Sequence, residues 1–308
     1  MDYVLIVLQS LFLLIITPLF VGILKRMKAF IRGYQGAKIT QPYYDIKRLF
    51  NKGMVVSNSS SFVSIFGPSI CLAFSIVISL LVPVFYTNNI INFGNVFLVI
   101  FMLAVIKIIT TLIGLDCAST FGGMGSSRES FISLFAEPVM LLTLSVLYFE
   151  SNNFNVFKIS YAISNTDITV AHILALASFF ILVLAENARM PVDNPETHLE
   201  LTMVHEAMIL DISGRNLAFI ELASSIKFIV FATLLINLFL PFGIATSISI
   251  YSIFISIVIY ILKMIVVLFV IAIIRTSIAK FRLFKVPELL ASAFSLSIIS
   301  IAMLYFNL

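Results

Sequence analysis

Apolar residues run through this chain in stretches of about twenty, the length that crosses a hydrocarbon core as a helix, broken by short polar connections. The pattern places spans at 3–24, 62–86, 96–115, 131–149, 168–186, 217–240, 248–274 and 286–306. An even number of spans brings both ends of the chain to one side. One connection is itself patterned: Pro42 starts a helix in which Tyr43, Ile46, Leu49 and Phe50 recur at helical spacing opposite Lys47 and Arg48. The expected fold is an all-α integral membrane protein. Residues 1–308 form a single polytopic domain of about eight transmembrane helices, with an amphipathic helix in the cytoplasmic connection after the first span.

Composition agrees, since 61% of the 308 residues are hydrophobic and only 11% charged, outside the range of soluble domains. Charge then orients the spans. The basic connection 25–52 holds Lys25, Arg26, Lys28, Arg32, Lys38, Lys47, Arg48 and Lys52 against the single acid Asp45. Arg128, Arg189, Arg215 and the basic residues of 275–285 fall in the other odd-numbered connections, whereas the even-numbered ones hold only Lys158. Positive loops are retained on the cytoplasmic side, so the expectation is a cell-membrane protein with both termini outside. No basic segment precedes the first span, which is expected to stay as a helix rather than be cleaved. Tyr3, Tyr86, Tyr148, Tyr251 and Tyr305 lie near span ends, where an aromatic belt belongs.

The only cysteines, Cys71 and Cys117, lack the ligand spacing of an iron–sulfur or zinc site and read as small buried apolar residues; the chain is expected to carry no cofactor. The basic connection suits either an anionic lipid surface or a soluble docking partner, and a strip held at the membrane does not suit nucleic acid.

Charged residues inside the spans need a reason. Lys107, Lys263 and Glu137 stand too far from a span end to reach water, so they require partners or a polar path. Glu186, Glu221 and Lys227 lie nearer the ends and fit either snorkelling or pairing. The acidic connection 187–216 is denser still: Glu186 to Gly214 gathers Glu186, Asp193, Glu196, Glu200, Glu206 and Asp211, six of the fifteen carboxylates. A helix from Pro195 to Leu210 would put Glu196, Glu200 and Asp211 on one face and His198 and His205 on the other. Carboxylates grouped at low dielectric share protons, which is proton-pathway chemistry. A solvated charged face fits the same composition, and the histidines lack the H-E-x-x-H spacing of a metal site.

Residues Arg189 to Leu201, R-M-P-V-D-N-P-E-x-x-x-E-L, resemble the signature of the complex I subunit 1 family. Gln35-Gly36 and Gln41 to Phe50, the pair Arg128 and Glu137, and Glu186 resemble further family stretches in the same order. Phe121 to Glu129 and Thr197 to Glu206 are similar to the hydrogenase branch, of the formate hydrogenlyase and hydrogenase-4 type. About three extra residues before Ser213-Gly214, and Asp211 where the family usually has glutamate, depart from the quinone-reducing branch.

The resemblance implies a connecting subunit without cofactors. Hydrogenase large and small subunits, carrying a nickel–iron centre and iron–sulfur clusters, would dock on its cytoplasmic face, and antiporter-like membrane subunits would lie beside it. Glu137, Glu186, Asp193, Glu196, Glu200, Glu206, Asp211, Lys107 and Lys263 are the expected proton-pathway residues, with Asp211 and Glu206 competing for one role. Arg128, Arg189, Asp45 and Lys47 are expected to serve docking or loop structure. Two other readings stand beside this one: a quinone-site subunit of a complex I-like NADH:quinone oxidoreductase, and an independent cation transporter.

Overall fold

The computed structural model describes residues 2–57, 60–166, 168–187, 203–278 and 283–306. Among the described residues seven helices are long and apolar enough to cross a membrane: α1 (Asp2–Ile31), α3 (Phe62–Leu81), α4 (Val96–Asp116), α5 (Thr120–Ser151), α9 (Gly214–Phe239), α10 (Ile250–Ser277) and α11 (Val286–Tyr305). The eighth expected span is the shorter α7 (Val170–Glu186). The expected amphipathic helix is α2 (Gln41–Phe50), while α6 (Val156–Ser164) and α8 (His205–Ile209) are short helices in connections. Among the described residues there is no strand.

Helix α9 is the centre of the bundle, touching α1, α2, α3, α6, α7 and α10, and α7 is held between α5, α9 and α11. Small residues let these helices approach and bond across the interface: Ser178 Oγ donates to Ala293 O and Ser300 Oγ to Ala171 O, both at 2.6 Å. Helix α10 packs mainly on α1 at the periphery.

Several boundaries differ from the apolar pattern, each for a local reason. The second span was expected to reach residue 86, but α3 stops at Leu81 because Pro83 forces Val82 into extended backbone. The chain from Val82 to Thr87 then runs fully buried without being helical. Irregular backbone survives at such depth only where protein satisfies it. Gln9 Oε1 accepts from the amides of Val84, Phe85 and Tyr86 at 2.7, 3.0 and 3.1 Å, and Asn237 Nδ2 donates to the carbonyls of Pro83 and Val84. Tyr86 therefore belongs to the interior rather than to an aromatic belt. Its hydroxyl donates to Asp2 Oδ1 at 2.8 Å, and burial raises its pKa.

Helix α5 begins earlier than the span predicted at 131–149. Ser119 caps it by accepting from Gly122 N, and the Gly122-Gly123-Met124-Gly125 stretch is helical because α8 packs against it. A Cβ on Gly125 would stand 2.9 Å from Val204 O and 3.0 Å from the Ala207 methyl.

Helix α2 folds back on α1. Its Tyr43 hydroxyl donates to Ile15 O, close to the turn that Pro18 opens in α1, and Phe50 packs edge-on against Phe219 of α9 at 5.6 Å. The connection before α2 crosses α1 so closely that a Cβ on Gly22 would lie 1.9 Å from Ile39 O. The last turns of α1 thus project ~14 Å past this crossing. They carry Lys25, Arg26 and the exposed Phe30, and the turn that follows exposes Tyr34.

Candidate functional site

Helix α7 ends inside the bundle. Its last residue, Glu186, reaches Lys107, which by helix rise lies ~14 Å short of the end of α4. The Lys107 Nζ to Glu186 Oε1 distance is 2.5 Å, and Lys227 Nζ of α9 lies 3.2 Å from Oε2 of the same carboxylate. Lys227 also donates to the Glu186 main-chain carbonyl at 3.1 Å, where an ammonium meets the negative end of the α7 dipole. The side chains of Lys107, Glu186 and Lys227 are 6%, 3% and 11% exposed. Snorkelling is therefore not what Glu186 and Lys227 do: both turn inward to form one buried ion cluster with Lys107.

Two ammoniums against one carboxylate leave a positive excess that is costly at low dielectric. Helix α5 supplies the balance, because Glu129 and Glu137 both lie within electrostatic reach of Lys107. Glu129 is buried, and Glu137 is partly buried beside the exposed Leu134 and Phe135.

Above the cluster lies a cavity of about 150 Å³ walled by Lys107, Glu129, Glu186 and Lys227, with Thr110, Asn187 and Ser224 adding to its polar lining. It lies at the level where α7 ends, while α4, α5 and α9 continue past that level. His205, Glu206, Ser224 and Ser225 line this cavity and also a wider groove of about 600 Å³ between α1, α2, α8 and α9. Lys25, Asp45, Arg48 and Glu221 line the groove. A continuous series of polar side chains therefore leads from the basic α1–α2 end of the molecule to Lys107.

The acidic connection is only partly described. Arg189, Asp193, Glu196, His198 and Glu200 lie outside the described residues. Where the description resumes, the continuous helix from Pro195 to Leu210 is not found, because Met203 and Val204 are not helical and α8 starts at His205. The Arg128 guanidinium accounts for this, donating from Nη1 to Met203 O at 2.8 Å and taking that carbonyl out of a helical ladder. The expected grouping of Asp211 with Glu196 and Glu200 falls on residues outside the described ones. Asp211 is exposed and lines a small separate crevice beside Cys117 and Ser64, whereas Glu206 reaches the cavity. Of these two competitors, geometry brings only Glu206 to the cluster.

Lys263 also lies apart. Its ammonium donates to the carbonyls of Leu240 and Phe242, which terminate α9 at the opposite end from α2. Asp45 accepts from Gln41 Nε2 at 3.1 Å and lies 3.6 Å from Arg48, so it organises α2, and Lys47 is exposed on that helix. Cys71 and Cys117 are buried and neither is in a disulfide, and burial pushes the Cys117 thiol up. No group of three or more potential metal ligands occurs among the described residues.

Two polar networks were not anticipated. Asp116 accepts from the amides and hydroxyls of Ser61 and Ser64, at 2.5 to 3.0 Å, and so ties α4 to the first turn of α3. At the far end His172 Nδ1 lies 2.6 Å from Glu150 Oε2 and its Nε2 lies 2.8 Å from Phe239 O. Because both partners are acceptors, an ionised Glu150 requires an imidazolium there. The apolar residues around His172 and the terminal position of Glu150 on α5 carried no local sign of this pair.

A polytopic helical fold with buried lysine–carboxylate pairs defines the class, and the chain belongs to the family described as NADH dehydrogenase, which it matches over residues 3–306. It is a multi-pass membrane protein of the subunit 1 type within that family. Among its relatives are hydrogenase-4 component C of Escherichia coli (strain K12), 30% identical over 293 residues, covering 94% of this chain and 91% of the relative. Formate hydrogenlyase subunit 4 of the same organism is 24% identical over 295 residues and 95% of both chains. A chain of the solved membrane-bound sulfane sulfur reductase, an archaeal respiratory membrane complex, shares the fold with a TM-score of 0.83 at 16% identity, covering 99% of this chain and 100% of that one.

Proposed function

We propose that this chain is the membrane connecting subunit of an energy-converting hydrogenase or formate hydrogenlyase complex, docking the soluble redox arm and coupling its electron transfer to ion movement. The observation that carries this reading is the Lys107–Glu186–Lys227 cluster, buried yet joined by a polar cavity and groove to the basic end of the molecule. Redox centres belong in this scheme to hydrogenase large and small subunits seated over the groove, on the cytoplasmic side. The projecting end of α1, with exposed Phe30 and Tyr34 among basic residues, supports a docking surface over a lipid anchor, since it stands beyond the helix that would lie at the interface. Arg189 and Lys47 join this docking region on sequence grounds.

The mechanism is electrostatic. A change of charge in the redox arm alters the proton affinity of the carboxylates nearest to it, Glu206 and, by sequence, Asp193, Glu196 and Glu200. A proton accepted there weakens or strengthens the attraction between Glu186 and its two lysines, and Lys107 hands the change to Glu137 on the outer face of α5. Antiporter-like membrane subunits against that face would receive it. Asp211 and Lys263 are left outside the path by their positions.

The test is made on the native complex in sealed membrane vesicles. A nickel–iron subunit should co-purify with this chain, and Glu186→Gln should lower the number of ions moved per hydrogen formed at least tenfold. Co-purification with a quinone-linked dehydrogenase instead would move the chain to the quinone-reducing branch. Ion flux from the isolated, reconstituted chain would make it an independent transporter.

A further inference from the structure

Of the in-span lysines Lys107, Lys227 and Lys263, the first two share the Glu186 carboxylate. Lys263 has no such counter-ion. Among the described residues its ammonium meets the carbonyls of Leu240 and Phe242 and, at 5.8 Å from the centroid, the Phe242 ring, and no carboxylate acts on it. Carbonyls at a helix C-terminus carry only about half an elementary charge together, so a net positive charge is left. That charge is deep. Lys263 stands ~20 Å from either end of α10 (Ile250–Ser277), farther than a lysine side chain can snorkel. Its surroundings are open as well. Val270 and Val266 lie ~20° and ~60° from Lys263 around α10, and both are exposed, as is Phe242. Because α10 packs mainly on α1, this strip lies on the outer surface of the bundle.

We infer that Phe242, Lys263, Val266 and Val270 form an interface for a transmembrane helix of another membrane subunit, and that this helix carries an aspartate or glutamate that pairs with Lys263 at mid-depth. Charge complementarity selects this occupant. A phospholipid phosphate lies at the membrane surface, out of reach of an ammonium held at the middle of α10. A second copy of this chain does not suit the strip either. Helix α10 holds no acid, so a two-fold contact along it would set one Lys263 against the other. A carboxylate on a partner helix completes the ion pair, and the valine and phenylalanine side chains beside Lys263 give that helix a surface to pack on. The strip is on a different helix from Glu137. It therefore defines a second contact with membrane partners, beyond the α5 face, and holds for either redox branch.

The experiment is made in membranes holding the whole complex, with photoreactive benzoylphenylalanine in place of Val266 or, separately, Val270, and the adducts are mapped by mass spectrometry. They should fall on one transmembrane helix of another subunit, within about two turns of an Asp or Glu. Lys263→Met combined with the probe should lower the adduct yield at least tenfold, while Lys263→Arg should keep it. If the methionine variant fails to assemble, the adduct map of the chain with Lys263 in place carries the test. Adducts on lipid alone, on a second copy of this chain, or on a helix without an acid at that depth overturn the inference. An undiminished yield in an assembled Lys263→Met complex overturns it too.

Discussion

Glu186 carries the largest share of the site's electrostatics, because one carboxylate serves two lysines with almost no access to water. Replacing it by glutamine strands both ammoniums, and breaking a buried pair costs about 3–5 kcal/mol. Lys227→Met strands nothing, since Lys107 still faces Glu186, and should cost less. Denaturant unfolding in detergent should rank the variants in that order, and equal losses would refute the shared-carboxylate arrangement. Gln9 is a second such residue. Its side-chain oxygen serves three buried amides, each worth ~1–3 kcal/mol if left unsatisfied, so Gln9→Leu should destabilise the bundle more than any lipid-facing leucine substitution on α1. A polar residue in an apolar run marked neither its partners nor their number, and a sequence in which Gln9 sits near Leu8 and Leu11 does not announce that an extended segment from another element lies against it.

At the scale of elements, helix positions follow from apolar run length, but helix ends follow from contacts. Pro83 stops α3, and Arg128 withdraws the Met203 carbonyl from a helix that composition alone would have continued. Close backbone approaches fix the two connecting helices. Gly22→Ala would place a methyl 1.9 Å from Ile39 O, a contact that backbone cannot relieve by rotating a side chain. The variant should lift the connection before α2 off α1, and limited proteolysis should then cut between residues 32 and 40 faster than in the parent. Gly125→Val should similarly displace α8 and with it His205 and Glu206 from the cavity mouth, lowering coupling while α5 stays helical by circular dichroism.

For the whole molecule, the alternation of helices places both described ends, near Asp2 and Tyr305, at the end opposite α2. Single cysteines placed at Lys47 and at Asn165, in a background lacking Cys71 and Cys117, should be labelled from opposite sides of sealed vesicles. Charge distribution predicts that Lys47 is the cytoplasmic one. Labelling of both from one side would remove the topology. The same alternation explains why α7 matters. Helices α4, α5 and α9 run on past Glu186 toward the α2 end, and the polar cavity forms among them at that level.

By itself the sequence determined that the chain is a helical membrane protein of about eight spans, that α2 is amphipathic, and that Lys107, Lys263 and Glu137 need partners or a polar path where they are. These follow from local quantities, run length, periodicity and the cost of charge in hydrocarbon. Only the tertiary structure decided which charges meet. Lys107, Glu186 and Lys227 come from α4, α7 and α9, and no spacing along the chain encodes a distance between helices. The same is true of Glu129, an ordinary acid beside Arg128 in the sequence, which the packing of α5 against α4 and α8 buries at the edge of the cavity.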